Sequence, residues 1–213
     1  MKGVPLNEEL YQYILGTFVR EDGILKSVVK QAQERNFPII QISPENGMFL
    51  HMLIKMIKAK RILEIGTLNG YSTIWMARAL PKSGKLTTLE LEPEHANAAR
   101  GNFKKAGLNK KIKIIEGNAI ESLKKLKKKK FDFVFIDADK VSYPLYFDMV
   151  IKMMNKGGII AVDNTLRDGQ IISKTPDDAI RGTQILNEKM ANHKKMISLL
   201  VPISDGLTVG LVK

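Results

Sequence analysis

The sequence predicts an α/β domain built on a mostly parallel, doubly wound sheet. Three observations lead there. From residue 61 onward, short strands rich in branched and aromatic residues alternate with helical stretches, the pattern of a βα repeat with helices on both faces of a sheet. With 213 residues, 44% of them hydrophobic, and ordinary Gly and Pro counts, the chain can bury one sizeable core and carries no low-complexity linker. Near the end, "KKMISLLVPI" and "LTVGLVK" flank Ser204-Asp205-Gly206, a hairpin signal that makes the last strand antiparallel.

The elements follow in order. Residues 1–58 form a helical cover and 59–213 the sheet, within one domain spanning 1–213. Asn7 can cap "EELYQYIL", a second amphipathic stretch covers 22–36, and Ser43-Pro44-Glu45 is a capped start for "NGMFLHMLIKMI". Strands are predicted at 61–65, 85–91, 111–115, 131–137 and 158–163, with helices at 71–80, 93–106, 118–129, 142–154 and 177–193.

Composition excludes several chemistries. Cysteine is absent, which removes disulfides, thiolate zinc sites and cysteine nucleophiles together, and His51, His95 and His193 are too far apart for a local ligand motif. A metal would have to be held by oxygen. No apolar run reaches the roughly 18–20 residues needed to span a bilayer, and "MKGVPLNEEL" has no apolar stretch of signal-peptide type, so a cytoplasmic protein without membrane partners is expected. The net charge of +12 raises the question of a nucleic-acid partner, but six of the 34 basic residues sit in one run, "KKLKKKK" at 124–130.

In such a sheet, ligands bind beyond the carboxyl ends of the strands, where the winding direction reverses. The first strand ends in "EIGTLNG" (64–70), where Gly66 and Gly70 let the backbone approach a ligand, although the spacing is not GxGxxG. Glu90 ends the second strand, where an acid can accept hydrogen bonds from both ribose hydroxyls or cap the next helix. Together these features imply an adenosine-containing ligand. Two more buried strands end in charge: "FDFVFIDADK" (131–140) finishes on Asp137, Asp139 and Lys140, and "GGIIAVDN" finishes on Asp163 and Asn164. Hard oxygen ligands at two strand tips suggest one site.

The motifs "LEIGTLNGYST", "GNAIE", "FIDADK" and "GGIIAVDNT", in this order and spacing, resemble the metal-dependent O-methyltransferases related to catechol and caffeoyl-coenzyme A O-methyltransferases. The likeness runs from "SPENGMFL" to "PISDGLTVGL". It implies a class I methyltransferase Rossmann-like sheet of order 3-2-1-4-5-7-6, S-adenosylmethionine as cofactor, N-terminal helices over the site, and commonly a homodimer.

Site roles follow from the same resemblance. Glu64, Gly66, Thr67 and Ser72 should contact the methionine portion of the cofactor, Glu90 the ribose, Ala119 the adenine and Asp139 the amino group, with Asp137 beside them and Ile42 lining the entry. Asp137, Asp163 and Asn164 would hold Mg²⁺, or Mn²⁺ or Ca²⁺. In the implied strand order the fourth and fifth strands are neighbours about 4.8 Å apart, so one cation can bridge their tips and leave positions for water and two substrate oxygens. Lys140 matches the general base of the catechol enzymes, and Asp168 a substrate-contacting position. A vicinal diol would chelate the ion, and its oxyanion would attack the sulfonium methyl in line.

Two departures qualify the transfer. Asn118 stands where many relatives have an acid before the alanine, and Arg167 where they often carry tryptophan, which admits an anionic or larger acceptor. Three readings follow: methyl transfer to a catechol-like small molecule, methylation of a hydroxylated tRNA uridine, or a nicotinamide dehydrogenase or nucleotide binder on the same sheet. The third leaves the oxygen trio unexplained. The lysine run separates the first two, since it ends a helix leading to the amino end of a strand and should face away from the site.

Overall fold

The computed structural model describes residues 5–213. Three helices come first, α1 (Glu8–Phe18), α2 (Gly23–Glu34) and α3 (Pro44–Met56). Asn7 and Asp22 accept the Leu10 and Leu25 amides at 2.9 and 3.0 Å, each satisfying a first-turn donor that has no intrahelical partner. Ser43, expected to cap α3, makes no such bond. Pro44 starts that helix instead, with φ already set and no N–H to satisfy.

The sheet comprises β1 (Arg61–Ile65), β2 (Lys85–Glu90), β3 (Ile112–Glu116), β4 (Phe131–Ile136), β5 (Met154–Val162), β6 (Met196–Val201) and β7 (Leu207–Val212). Between them lie α4 (Tyr71–Ala79), α5 (Pro93–Lys105), α6 (Ala119–Leu126), α7 (Tyr143–Val150) and α8 (Asp178–Ala191). The order is β3-β2-β1-β4-β5-β7-β6, with β7 antiparallel to both neighbours, as expected.

Side chains alternate between two cores. Ile62, Phe133, Phe135 and Ala161 join Leu25 of α2, Leu50 of α3, Trp75 of α4 and Phe103 of α5. Leu63, Val134, Ile136 and Ile160 join Leu123 of α6, Phe147 of α7 and Leu186 of α8. Burial on both faces is why these strands read as nearly continuous apolar runs.

Boundaries differ from the sequence reading in places that have physical causes. β5 starts at Met154 rather than 158, because its backbone bulges: Phe131 pairs with Met154 but Phe133 with Ile159. Asn155 Nδ2 donates to Asp132 Oδ1 across the bulge at 2.7 Å, and Gly157 supplies a left-handed φ of +76°. The helix predicted over 142–154 is therefore cut to α7 and a 3-10 turn, Ile151–Met153. The helix predicted over 118–129 has Asn118 as its N-cap and ends at Leu126, where like charges four apart oppose continuation and the Lys129 amide turns back to Leu126 O at 2.8 Å. β2 ends one residue early, and β3 lies one residue later than expected.

Lys129 and Lys130 meet Lys60, Arg61 and Lys85 around a cleft of about 520 Å³ at the amino ends of β1, β2 and β4. Among the described residues, no helix is long and apolar enough to cross a membrane.

Candidate active site

A cavity of about 810 Å³ opens across the carboxyl ends of the strands, where the winding reverses between β1 and β4. Its wall brings together Ile42, Gly66, Thr67, Ser72, Glu90, Ala119, Asp137, Asp139, Lys140, Asn164 and Asp168. Glu64 and Asp163 stand behind this wall rather than in it, both buried.

The turn after β1 depends on Gly66. Its φ is +95°, and a Cβ there would meet the Asp137 carbonyl oxygen at 1.9 Å, so only glycine lets this turn pass the end of β4. The turn then aims its amides at Glu90, whose Oε2 accepts Thr67 N–H at 2.9 Å and Leu68 N–H at 2.8 Å, while Oε1 accepts Glu92 N–H at 3.0 Å. Glu90 thus faces the cavity and also ties the start of α5 through the Glu92 amide. Ala119 opens α6, where Asn118 accepts the Ile120 amide at 2.9 Å.

Glu64 accepts hydrogen bonds from Ser72 Oγ and Thr73 Oγ1, each at 2.5 Å. Burial pushes its carboxyl up to about 7, against the hydroxyls that favour the charged form. It anchors the first turn of α4.

The oxygen trio forms at the tips of β4 and β5. Ile136 and Val162 are the last paired residues, and the ladder runs one step further through Asp163 N–H to Ile136 O at 3.1 Å, so Asp137 and Asp163 follow on neighbouring strands. Asn164 adopts φ +53°, a left-handed conformation that Asn tolerates better than most residues, and lines the cavity. Burial, with the charge of Asp137 beside it, pushes the Asp163 carboxyl up to about 7. Lys140 Nζ donates to Asp137 Oδ1 at 2.8 Å and lies 5.0 Å from the Tyr143 ring centroid.

Asp139 is occupied by its own chain. Its carboxylate accepts Ser142 N–H at 2.9 Å and Tyr146 Oη–H at 2.6 Å, and against the raising effect of burial these bonds hold it below the usual range. Asp168 is exposed at the cavity rim, its own amide bonded to Asp205 Oδ1 at 2.6 Å.

Sequence reasoning missed two residues. Asn46, fully buried in α3, donates Nδ2 to Asp163 Oδ1 at 2.8 Å, and Tyr143 Oη donates to Asp163 O at 3.0 Å. The available signal for Asn46 was a polar residue at a position of α3 that should face the core, in "SPENGMFL". Gly47 beside it is equally constrained, since a Cβ would meet the Trp75 ring at 2.5 Å and the helix could not seat against α4.

The fold, the cavity at the switch point and the paired strand-tip carboxylates define an enzyme-like site on a methyltransferase sheet. A family model described as O-methyltransferase matches residues 16–213. A catechol O-methyltransferase of Niastella koreensis is 39% identical, with 97% of each chain covered, and one of Mycobacterium tuberculosis is 35% identical over 98% of this chain and 97% of its own. A caffeoyl-CoA O-methyltransferase of Medicago sativa is 33% identical over 98% of this chain and 90% of its own. Among solved structures, an O-methyltransferase from Bacillus cereus in complex with SAH superposes with TM-score 0.91 at 36% identity, covering 95% of this chain and 96% of that one. The O-methyltransferase TomG from Streptomyces achromogenes, solved with SAM, gives TM-score 0.91 at 32% identity, with 96% of each chain covered. The chain belongs to the O-methyltransferase family.

Proposed function

We propose that this protein transfers the methyl group of S-adenosylmethionine to a hydroxyl of a catechol-like small molecule, with a divalent cation held by Asp137, Asp163 and Asn164. The observation that carries the proposal is the placing of Asp137 and Asp163 after neighbouring strands, with Asp137, Lys140 and Asn164 in the wall of one large cavity and Asp163 buried just behind it. The residues fit a hard cation such as Mg²⁺. Two adjacent carboxylates with one amide oxygen are an oxygen-only donor set, and Asp163, pushed up first by burial and then by the charge of Asp137 beside it, is a carboxylate whose charged form a cation would favour. When bound, the ion supplies Lewis acidity that favours the ionised form of a chelated hydroxyl.

The chain's own groups do the rest. Glu90, fixed by the Thr67 and Leu68 amides, presents its remaining lone pairs to ribose hydroxyls. The turn at Gly66, with Ser72 beyond it, cradles the methionine end, and Ala119 borders the adenine. Asp139 and Asp137 face the amino group. Lys140 Nζ takes the hydroxyl proton, the acceptor oxygen forms its bond to the methyl carbon as the carbon–sulfur bond breaks, and the sulfur leaves as the neutral thioether. Because the displacement is direct, the protein's contribution is orientation and charge stabilisation, and no covalent enzyme intermediate is needed.

Family membership leaves the nicotinamide alternative without support, and the position of Lys129 and Lys130 at the amino edge of the sheet disfavours a tRNA acceptor at the cavity mouth. The test is direct. S-adenosylhomocysteine should raise the melting temperature while NAD does not, and labelled methyl should pass from the cofactor to catechol. Stabilisation by NAD alone, or labelling of tRNA with none of catechol, would reverse the assignment.

A further inference from the structure

Arg167 is a cation in the cavity wall with no ion-pair partner. Its side chain lines the cavity, its Nε is shut off from water and has no hydrogen-bond partner, and among the described residues no carboxylate lies within 4.0 Å of it. Buried polar atoms are nearly always satisfied, and an unpaired guanidinium at a ligand site is a planar fork for an oxyanion.

The backbone around it is held in place against strain. Asn164, Arg167 and Asp168 have φ of +53°, +53° and +51°, conformations that cost non-glycine residues on the order of 1 kcal/mol each and persist where the surroundings enforce them. Here the enforcement comes from the β6–β7 hairpin: Thr165 N–H donates to Gly206 O at 3.0 Å, Leu166 N–H to Asp205 O at 2.9 Å and Asp168 N–H to Asp205 Oδ1 at 2.6 Å. A loop stapled this way sets Arg167 three residues past Asn164. The charge of Arg167 reaches Tyr143, where it partly opposes the burial that raises that phenol.

We infer that Arg167 is an acceptor-binding residue and that the acceptor is an acidic catechol, one whose ring carries a carboxylate. This rests on the proposed methyl transfer to a diol: with the two hydroxyls at Asp137, Asp163 and Asn164, the ring would occupy the cavity that Arg167 also lines, three residues past Asn164. Six carboxylates share the cavity wall, Glu90, Glu92, Asp137, Asp139, Asp168 and Asp205, and none of them lies within 4.0 Å of the guanidinium. Asp205 is engaged by the Asp168 amide, and Asp168 itself is exposed, so its field is screened by water. Arg167 is half-buried and screened less.

The test compares 3,4-dihydroxybenzoate with the near-isosteric, neutral 3,4-dihydroxybenzamide. Calorimetric binding to the SAH-loaded protein should favour the acid by roughly tenfold or more, as charge-assisted hydrogen bonds imply. Arg167→Met should abolish that preference while changing amide binding by less than about threefold, and Arg167→Lys should restore part of it. In turnover, Arg167→Met should raise KM for the acid and leave kcat nearly unchanged. A wild-type protein that binds both equally, or a preference that survives Arg167→Met, would overturn the inference. Repeating the titrations with a chelator separates this claim from the one beneath it. Loss of diol binding on chelation reports on the metal, whereas the acid-to-amide ratio reports on Arg167.

Discussion

Asn46 of the N-terminal cover donates its side-chain amide to Asp163 at the tip of β5, across 2.8 Å in space and 117 positions in sequence. The cover is therefore wired to the strand tip that carries the proposed metal ligands. Asn46→Leu should cost about 1–3 kcal/mol, the penalty for leaving a buried acceptor unmade. Chemical denaturation measures it, and a loss within experimental error would show that the bond contributes nothing.

The buried Glu64 gives a pH signature. Its folded value of about 7 lies above the ordinary glutamate value of 4.5, so the folded state binds the proton more tightly than the unfolded chain does. Its contribution to stability is fully present below about 4.5 and is lost as pH rises to about 7. Glu64→Gln, which cannot ionise, should therefore gain stability relative to the parent across that window, by at most about 3 kcal/mol. Parallel stability–pH curves for the two proteins would contradict this.

Much of this was legible before any coordinates. Strands buried on both faces announce themselves as apolar runs, and a charge at the end of such a run is conspicuous, which is why Asp137, Lys140, Asp163 and Asn164 could be picked out from the sequence. What stayed hidden depends on long-range contact. The β5 bulge answers to Asp132 on a different strand, and Glu90 is held by amides of a turn 22 and 23 residues earlier. Asn46 offers only a weak signal, a polar residue on the core-facing side of α3, and its partner Asp163 lies 117 positions away. Ser43 holds the N-cap position that local chemistry predicts, but its side chain makes no cap bond, and Pro44 opens the helix behind it.

Lys140 has a defined signature. If it accepts the hydroxyl proton, Lys140→Met should lower kcat by roughly a hundredfold or more while changing S-adenosylhomocysteine affinity less than about threefold. Unchanged turnover, or a parallel loss of cofactor binding, would remove it from the chemistry.

The lysine run should be separable from catalysis. Lys129 and Lys130 lie with Lys60, Arg61 and Lys85 at the opposite end of the sheet from the cavity. Replacing four of the six lysines at 124–130 with glutamine should weaken nonspecific RNA binding and flatten its salt dependence, leaving catechol methylation within about twofold. A loss of methyl transfer in step with RNA binding would favour an RNA acceptor.

The central claim is that Asp137, Asp163 and Asn164 hold the cation on which methyl transfer depends, and the most direct measurement is the rate of labelled methyl transfer to catechol through a cycle of metal removal and return. Complete chelation should reduce the rate at least about a hundredfold, and Mg²⁺ should restore it in the parent but not in a folded Asp163→Ala protein. Undiminished turnover after complete chelation, or full Mg²⁺-dependent turnover in Asp163→Ala, would contradict the account.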